Sequence, residues 1–102
     1  MAVAFVQEFA IVDGDTTTTN YDAVTEELGR VAPDGLIVHT AGFDHDRGVF
    51  RIVDVWESRE AGQRFMDEKL MPIIERRAGE LAAEDFRPPD VESWYELHDV
   101  MR

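Results

Sequence analysis

The chain has 102 residues, of which 22 are acidic and 10 are basic, so its formal charge at pH 7 is -12. This length predicts a single domain over residues 1–102. The negative field repels phosphate backbones and anionic lipid surfaces, which makes nucleic acids and membranes poor partners. The lack of cysteine excludes disulfides and thiolate chemistry, and no apolar run approaches the roughly 20 residues that span a bilayer. We therefore expect a soluble, cytoplasmic protein.

A strand and an amphipathic helix are the first predicted elements. Residues 3–12 have the β-branched and aromatic content typical of a strand. A helix is predicted after the polar threonine run, with Thr19 as its N-cap and Asp22 as the acidic partner of that cap. We expect it to end at residues 32–35, because the residue before a proline avoids helical backbone. Its apolar stripe consists of Tyr21, Val24, Leu28 and Val31.

Two further strands, Leu36–Asp44 and Val49–Glu57, are predicted on either side of a hairpin turn in which Gly48 supplies a positive φ. Large apolar side chains occupy both faces of the second strand. One face carries Phe50, Ile52 and Trp56, and the other carries Val49, Val53 and Val55. A half-solvated antiparallel strand would alternate apolar with polar residues instead. The sheet therefore needs cover on both faces, and a short chain can supply only one.

The last predicted elements are a helix and a strand. Ser58 is a good N-cap for the helix, and Pro72 is expected to bend it or to restart it in a new first turn. The final strand is predicted at Glu92–Met101. The order βαββαβ indicates an α+β ferredoxin-like fold, with a four-stranded antiparallel sheet and both helices on one face. An identical face is the simplest cover for the other side, so we expect a homodimer through the sheet.

Residues spread over nearly the whole chain carry a resemblance to a known superfamily. They are Gly35, His39, Ala41–Gly42, Val53–Ser58, Phe65 and Leu70–Pro72. With this element order the chain resembles the dimeric α/β-barrel superfamily, and within it the antibiotic-biosynthesis-monooxygenase-like domains. Members with this fold include cofactor-free quinone-forming oxygenases, haem-degrading enzymes and polyketide cyclases. Fold alone does not choose among these activities.

The haem-degrading branch is disfavoured by departures from its pattern. Its members resemble this chain at the Val-Trp junction, but they rely on an Asn in the first strand and on a Trp and a His in the second helix. Here residues 3–12 contain no Asn, and residues 58–84 contain neither Trp nor His. Phe65 stands approximately where that Trp would fall, and no axial imidazole is evident for an iron. We therefore expect no cofactor.

The candidate site lies on the helix-covered face of the sheet near the hairpin, and its composition depends on the hairpin register. If only two residues form the loop, His39 lies directly across from Asp54. If Gly48 joins the loop as a bulge, His39 opposes Val55 and Asp54 turns to the other face. We favour the first register, because it gives a buried Asp and a buried His each other as partners.

In that register, the carboxylate of Asp54 would orient the imidazole of His39 and keep it basic. The resemblance to cofactor-free oxygenases implies that His39 removes a phenolic or enolic proton from an aromatic substrate. The electron-rich anion would then react with O₂ without a flavin or a metal. Trp56, Phe43 and Phe65 would line the apolar slot that binds this flat, hydrophobic molecule.

Simpler interpretations stand beside these roles. A His–Asp pair in a sheet is more often a satisfied core pair, and Trp56 and Phe65 at a strand–helix junction are more often core than ligand contacts. Residues Asp44–Asp46 do not predict a metal site, because adjacent strand residues point to opposite sides. Three hypotheses follow: a cofactor-independent monooxygenase or related cyclase, a non-catalytic small-ligand-binding homodimer, and an accessory homodimer.

Overall fold

The computed structural model of the chain describes residues 1–80 and 88–101. Its elements are β1 (Val3–Ala10), α1 (Thr19–Glu27), β2 (Leu36–Asp44), β3 (Val49–Trp56), α2 (Arg59–Phe65), α3 (Met71–Glu80) and β4 (Val91–Glu96). The strands form one antiparallel sheet in the order β2-β3-β1-β4. The predicted α+β ferredoxin-like fold is confirmed. The single domain predicted over 1–102 includes residues 81–87 and 102, which lie outside the described residues.

Helices α2 and α3 are joined by a π-helical turn, Met66–Leu70, into one continuous helical segment. The Ser58 hydroxyl oxygen accepts a hydrogen bond from the Ala61 N–H at 3.1 Å, so the predicted N-cap is confirmed. Pro72 is the second residue of α3 and follows the π-helical turn inside this continuous segment, so the helix does not end at the proline. The wider π-helical turn lies where the proline ring crowds the preceding backbone. Among the described residues, no helix is long and apolar enough to cross a bilayer.

Helix α1 differs from the prediction at both ends. Thr18, not Thr19, occupies the N-cap, and its hydroxyl donates to the carboxylate of Asp22 at 2.7 Å instead of accepting from a backbone N–H. The helix ends at Glu27 because Gly29 takes a positive φ of 80° and reverses the chain. None of the nine helical residues is fully buried. Helix α1 is therefore a short helix that covers the sheet without any of its own residues being fully buried.

The last strand, β4, is shorter than the predicted span of 92–101, and its partner strand explains why. Strand β4 pairs with β1, whose first residue, Val3, lies opposite Glu96. One further hydrogen bond joins the Leu97 N–H to the Ala2 carbonyl oxygen at 3.0 Å. Strand β4 therefore ends opposite the first residues of β1, and the chain leaves the sheet there.

The hydrophobic core lies between the sheet and α2. Its fully buried members on this face are Val3, Phe5 and Trp56, and around them pack Leu36, Ala61, Phe65, Met66 and Trp94. The Phe5 and Trp94 rings stack with centroids 4.2 Å apart. Because this cluster occupies one end of the covered face, the other end is left for α1 and the candidate site.

Close packing at Gly62 makes this core sensitive to one added methyl group. A Cβ there would lie 2.8 Å from Cη2 of Trp94 and 3.0 Å from Cδ1 of Trp56. We expect Gly62→Ala to lower the free energy of unfolding by about 1–3 kcal/mol through overpacking, measured by urea denaturation at fixed protein concentration. The matched control is Gly79→Ala in α3, where no described atom lies within 4 Å of the added Cβ. A Gly62→Ala variant as stable as that control would contradict the packing.

The second face of the sheet carries apolar side chains that none of the described helices covers. They are Val6, Val38, Val53, Val55 and Tyr95. Val38 is 46% exposed. The segment after β4 lines an open groove of about 680 Å³ on this face, together with Val38 and Val55, and so provides part of the cover itself. We call this surface the open face.

An ionic cluster occupies the hairpin end of the open face. The Arg51 guanidinium donates from Nε to the Glu8 carboxylate at 2.7 Å and from an Nη to the Asp44 carboxylate at 3.1 Å. Each carboxylate thus has a cationic partner within this chain, so the cluster is satisfied without a second molecule. The apolar part of the open face lies at the opposite end, beside the segment that follows β4.

Candidate functional site

The β2–β3 hairpin has the register that places His39 directly across from Asp54. The last pair before the turn is Asp44 with Val49, and Gly48 takes a positive φ of 67°. The register favoured from the sequence is therefore confirmed, although residues 45–48 form a four-residue turn and not the two-residue loop expected with it. The register shift in β2 lies at the start of the strand, between Leu36 and Val38, so the pairing around His39 is regular.

The His39 side chain is hydrogen-bonded through Nδ1 to Oδ1 of Asp54. This bond raises the pKa of His39 above its ordinary value of 6.5, and partial burial of the ring opposes the rise. A neutral imidazole that donates from Nδ1 keeps a lone pair on Nε2. Asp54 thereby orients the ring and directs its basic nitrogen away from β3. The His39 side chain is 37% exposed, which leaves it within reach of a ligand.

Tyr21 of α1 is the partner of that basic nitrogen. Its hydroxyl lies 2.7 Å from Nε2 of His39, and the two rings are nearly parallel, at 5°. Burial, and then the negative charge of Asp54, raises the pKa of Tyr21 above 10.0. Tyr21 is thus a neutral phenol, and when His39 is neutral with its proton on Nδ1, the Tyr21 hydroxyl donates to Nε2. Tyr21, His39 and Asp54 form a continuous hydrogen-bonded chain, which we call the triad.

Sequence reasoning placed Tyr21 only on the apolar stripe of α1 and missed this contact. The available signal was its hydroxyl group, since a polar atom on the sheet-facing side of a helix needs a partner on the sheet. The sequence already placed His39 on that same sheet face. Joining the two observations would have predicted the triad.

Aromatic rings surround the triad on the hairpin side. The Tyr21 ring meets Phe50 edge-on at 5.4 Å between centroids, and Phe50 packs against Phe43 at 4.9 Å. The Phe43 ring also stacks on His45. Of the three predicted slot residues, Phe43 is the one that the structure brings into this aromatic group, and Phe50 joins it.

Trp56 and Phe65 lie instead in the core cluster. Trp56 is 1% exposed, and its ring packs against Phe65 with centroids 5.4 Å apart. The indole N–H has no hydrogen-bond partner among residues 1–80 and 88–101. Direct contact between Trp56 and a ligand would require this packing to open. The burial favours the core interpretation of both residues.

Two open depressions of the surface are lined by residues other than the triad. One of about 580 Å³ runs along β2 from Thr40 past Phe43 to the hairpin, and the other is the groove on the open face. Neither depression is lined by Tyr21, His39 or Asp54.

Asp44 is the last residue of β2, and residues 45 and 46 begin the hairpin turn. The Asp44 carboxylate accepts hydrogen bonds from the Arg47 backbone N–H at 3.1 Å and from Arg51, and these contacts hold the pKa of Asp44 below its usual value. Within the part of the chain that the structure describes, no three His, Cys, Asp or Glu side chains are grouped to hold a metal ion. Turn formation and ion pairing thus account for this acidic run.

The Asp54→Asn substitution is expected to lower the pKa of His39, because the carboxylate raises it and partial burial alone lowers it. The measurement is an NMR titration of the His39 ring protons. Asp46→Asn, on the exposed hairpin turn, is the control that removes an equal charge farther away. An unchanged His39 pKa in Asp54→Asn would contradict the assigned bond.

The same pair contributes to stability with a defined pH dependence. Because the pKa of His39 is higher in the folded than in the unfolded chain, its contribution is complete below the unfolded value and is lost as pH rises through the folded value. Wild type should therefore exceed Asp54→Asn in stability by more at about pH 5, below the ordinary histidine value of 6.5, than at about pH 9. Urea denaturation at the two pH values checks this sign.

No family profile matches the sequence, and no curated protein is similar to it in sequence. Solved structures do match. Rv0793 from Mycobacterium tuberculosis superposes with a TM-score of 0.69 at 17% identity, over 100% of both chains. A Chloroflexus aurantiacus J-10-fl protein, provisionally assigned as an antibiotic biosynthesis monooxygenase, gives 0.66 at 15% identity over 100% of this chain and 98% of that one. A mutant of SnoaB, a cofactor-independent oxygenase from Streptomyces nogalater, gives 0.62 at 16% identity, over 98% and 96%.

These similarities define the class of fold. The chain has the same fold as these proteins, and the resemblance seen in the sequence is confirmed at the level of the fold. TM-scores of 0.60–0.69 establish the common architecture, and identities of 13–17% leave the chemistry to the residues of the site.

Proposed function

We propose that this chain is a cofactor-independent monooxygenase, or a related cyclase, that acts on a hydrophobic aromatic small molecule bearing an ionisable hydroxyl group. The observation that carries the proposal is the hydrogen bond between His39 and Asp54 on the helix-covered face. This bond makes His39 a general base with a raised pKa on the same face as apolar rings. Proton removal from an aromatic hydroxyl group requires such a base. The shared fold with SnoaB supports the reaction class.

The proposed reaction begins with proton removal. His39 accepts the hydroxyl proton of the enol or phenol, and Asp54 stabilises the resulting imidazolium. The substrate anion gives electrons to O₂ and forms a carbon–oxygen bond at the ring carbon that is CH₂ in the keto tautomer and carries one hydrogen in the anion. Cleavage of the O–O bond with loss of the remaining C–H proton yields a ketone and water, so that CH₂ and O₂ become C=O and H₂O. One oxygen atom enters the product, and no further reductant is required.

The apolar lining holds the substrate in this proposal. Phe43, backed by Phe50, would contact the flat ring system beside His39. Trp56 and Phe65 would form the wall behind it and contact substrate only if the core opens towards the site. Burying the reacting carbon against these rings also keeps water from competing with O₂ for the anion.

The proposal includes a homodimer that buries the open face. Val38 and Tyr95 are exposed on this face of a single chain, and a second copy would remove them from water. The segment after β4 would lie at the same contact, because it lines the groove beside Val38. The cytoplasmic location expected from the sequence stays a prediction.

Oxygen uptake tests the reaction. Wild-type protein is mixed with an anthrone-type substrate, O₂ consumption is recorded with an electrode, and quinone formation is followed by absorbance. We expect one O₂ consumed per quinone formed and no dependence on added flavin or metal chelator. If wild type consumes no O₂ with any hydroxylated polycyclic substrate, the oxygenase proposal is wrong.

A non-catalytic ligand-binding homodimer is the second candidate, and one observation favours it. The basic nitrogen of His39 is hydrogen-bonded to the Tyr21 hydroxyl. Saturable binding of an anthraquinone to wild type, measured by fluorescence quenching, together with no O₂ uptake from the matching anthrone would support this second function.

A further inference from the structure

We propose that Tyr21 is a catalytic residue whose hydroxyl group relays the substrate proton to His39. This inference rests on the proposed function, since it assigns the path of the proton in that reaction. It adds a residue of α1 to a site otherwise built from β2 and β3. It also specifies the substrate group that is recognised, which is a hydroxyl on an aromatic or enolic ring.

The position of the Tyr21 hydroxyl supports the relay. It lies 2.7 Å from Nε2 of His39, so a substrate hydroxyl cannot reach that nitrogen directly while Tyr21 is in place. A phenol donates one hydrogen bond and retains lone pairs that accept another. With its proton directed at His39, the Tyr21 oxygen is the acceptor that a substrate hydroxyl would meet.

The transfer balances without an added reactant. The substrate O–H bond breaks as a new O–H bond forms on Tyr21, and the original Tyr21 O–H bond breaks as an N–H bond forms on Nε2 of His39. The products are a substrate anion, a neutral Tyr21 and an imidazolium hydrogen-bonded to Asp54. Because burial and Asp54 raise the pKa of Tyr21, a separate tyrosinate is disfavoured and the two transfers must occur together.

Contacts around the Tyr21 ring hold the relay in position. The ring meets the edge of Phe50, and it lies parallel to the imidazole. At the other end of α1, Glu27 forms an ion pair with Arg76 of α3, which ties the short helix to the longer helical segment. A helix with no fully buried residue is thereby fixed at both ends of its sheet-facing side.

Two substitutions distinguish a tyrosine that relays a proton from one that only blocks access to Nε2 of His39. Tyr21→Phe keeps the ring beside Nε2 and removes only the oxygen, so a relay predicts a fall in kcat of about 10²- to 10⁴-fold with little change in KM. Tyr21→Ala exposes Nε2 of His39, so a blocking role for Tyr21 predicts a kcat above that of wild type. Thr25→Val is the control, since it removes a hydroxyl from the same helix that bonds only a backbone carbonyl within α1.

The decisive readout is anaerobic formation of the substrate anion from a hydroxylated polycyclic substrate, followed by stopped-flow visible absorbance, because loss of the hydroxyl proton needs the base but not O₂. We expect wild type and Thr25→Val to form the anion and Tyr21→Phe to lose this activity. A curved dependence of the wild-type rate on deuterium fraction would show two protons in transfer. Anion formation by Tyr21→Phe at the wild-type rate, or faster anion formation by Tyr21→Ala, would overturn the relay and leave the proposed function standing. No anion formation by wild type would overturn both.

Discussion

The His39→Gln substitution is expected to lower kcat for O₂ uptake with an anthrone-type substrate by about 10²- to 10⁴-fold, the usual contribution of a general base. Glutamine is similar in length to histidine and can keep a hydrogen bond to Asp54, but it cannot accept a proton at neutral pH. KM should change little, because the apolar contacts of Phe43 and Phe50 are untouched.

The control for this experiment is His98→Gln, which removes an exposed imidazole from the segment beyond β4. It should retain wild-type kcat. Circular dichroism and thermal unfolding of both variants would show that each keeps the fold. Turnover by His39→Gln at the wild-type rate would remove His39 as the base, whatever the fate of the oxygenase assignment.

The Val38→Glu substitution is expected to convert the proposed dimer into monomers. Two-fold symmetry would place a glutamate from each copy at the same contact, where burial and like charge both oppose association. We expect the dimer dissociation constant to rise on the order of 100-fold or more, measured by sedimentation velocity across a dilution series. The single chain should still fold, because Val38 is 46% exposed in it.

Val31→Glu is the matched control for this prediction. Val31 is 77% exposed after the end of α1, outside every strand, so the same charge there should leave association unchanged. Wild type that sediments as a monomer at every concentration, or Val38→Glu that associates as wild type does, would contradict the proposed interface.

The features predicted correctly from the sequence depend on local pattern or on local pairing. Apolar residues on both faces of β3 predicted a sheet that one layer of helices cannot cover, and the structure leaves one face without helices. Gly48 marked the hairpin, and the need of His39 and Asp54 for partners selected its register. Ser58 marked the start of the long helical segment. Each of these follows from residues close together in sequence or across one turn.

The features that were missed depend on distant parts of the chain or on competing stop signals. Strand β4 ends opposite the first residue of β1, and the sequence of β4 alone does not indicate this end. Helix α1 ends at Glu27, before the positive φ of Gly29, although a proline farther along gave a stronger stop signal. The contact of Tyr21 with His39 depends on how α1 lies across the sheet. The burial of Trp56 depends on how closely α2 approaches the sheet at Gly62.

The central claim is that His39, oriented by Asp54, takes the proton of a bound aromatic hydroxyl group. Its most direct measurement is the absorption spectrum of para-nitrophenol bound to the protein, at a pH where the free phenol is mostly neutral. The claim predicts that the nitrophenolate band appears in proportion to wild-type protein and is absent with His39→Gln. Binding of nitrophenol in its neutral form, or the same ionisation with His39→Gln, would contradict it.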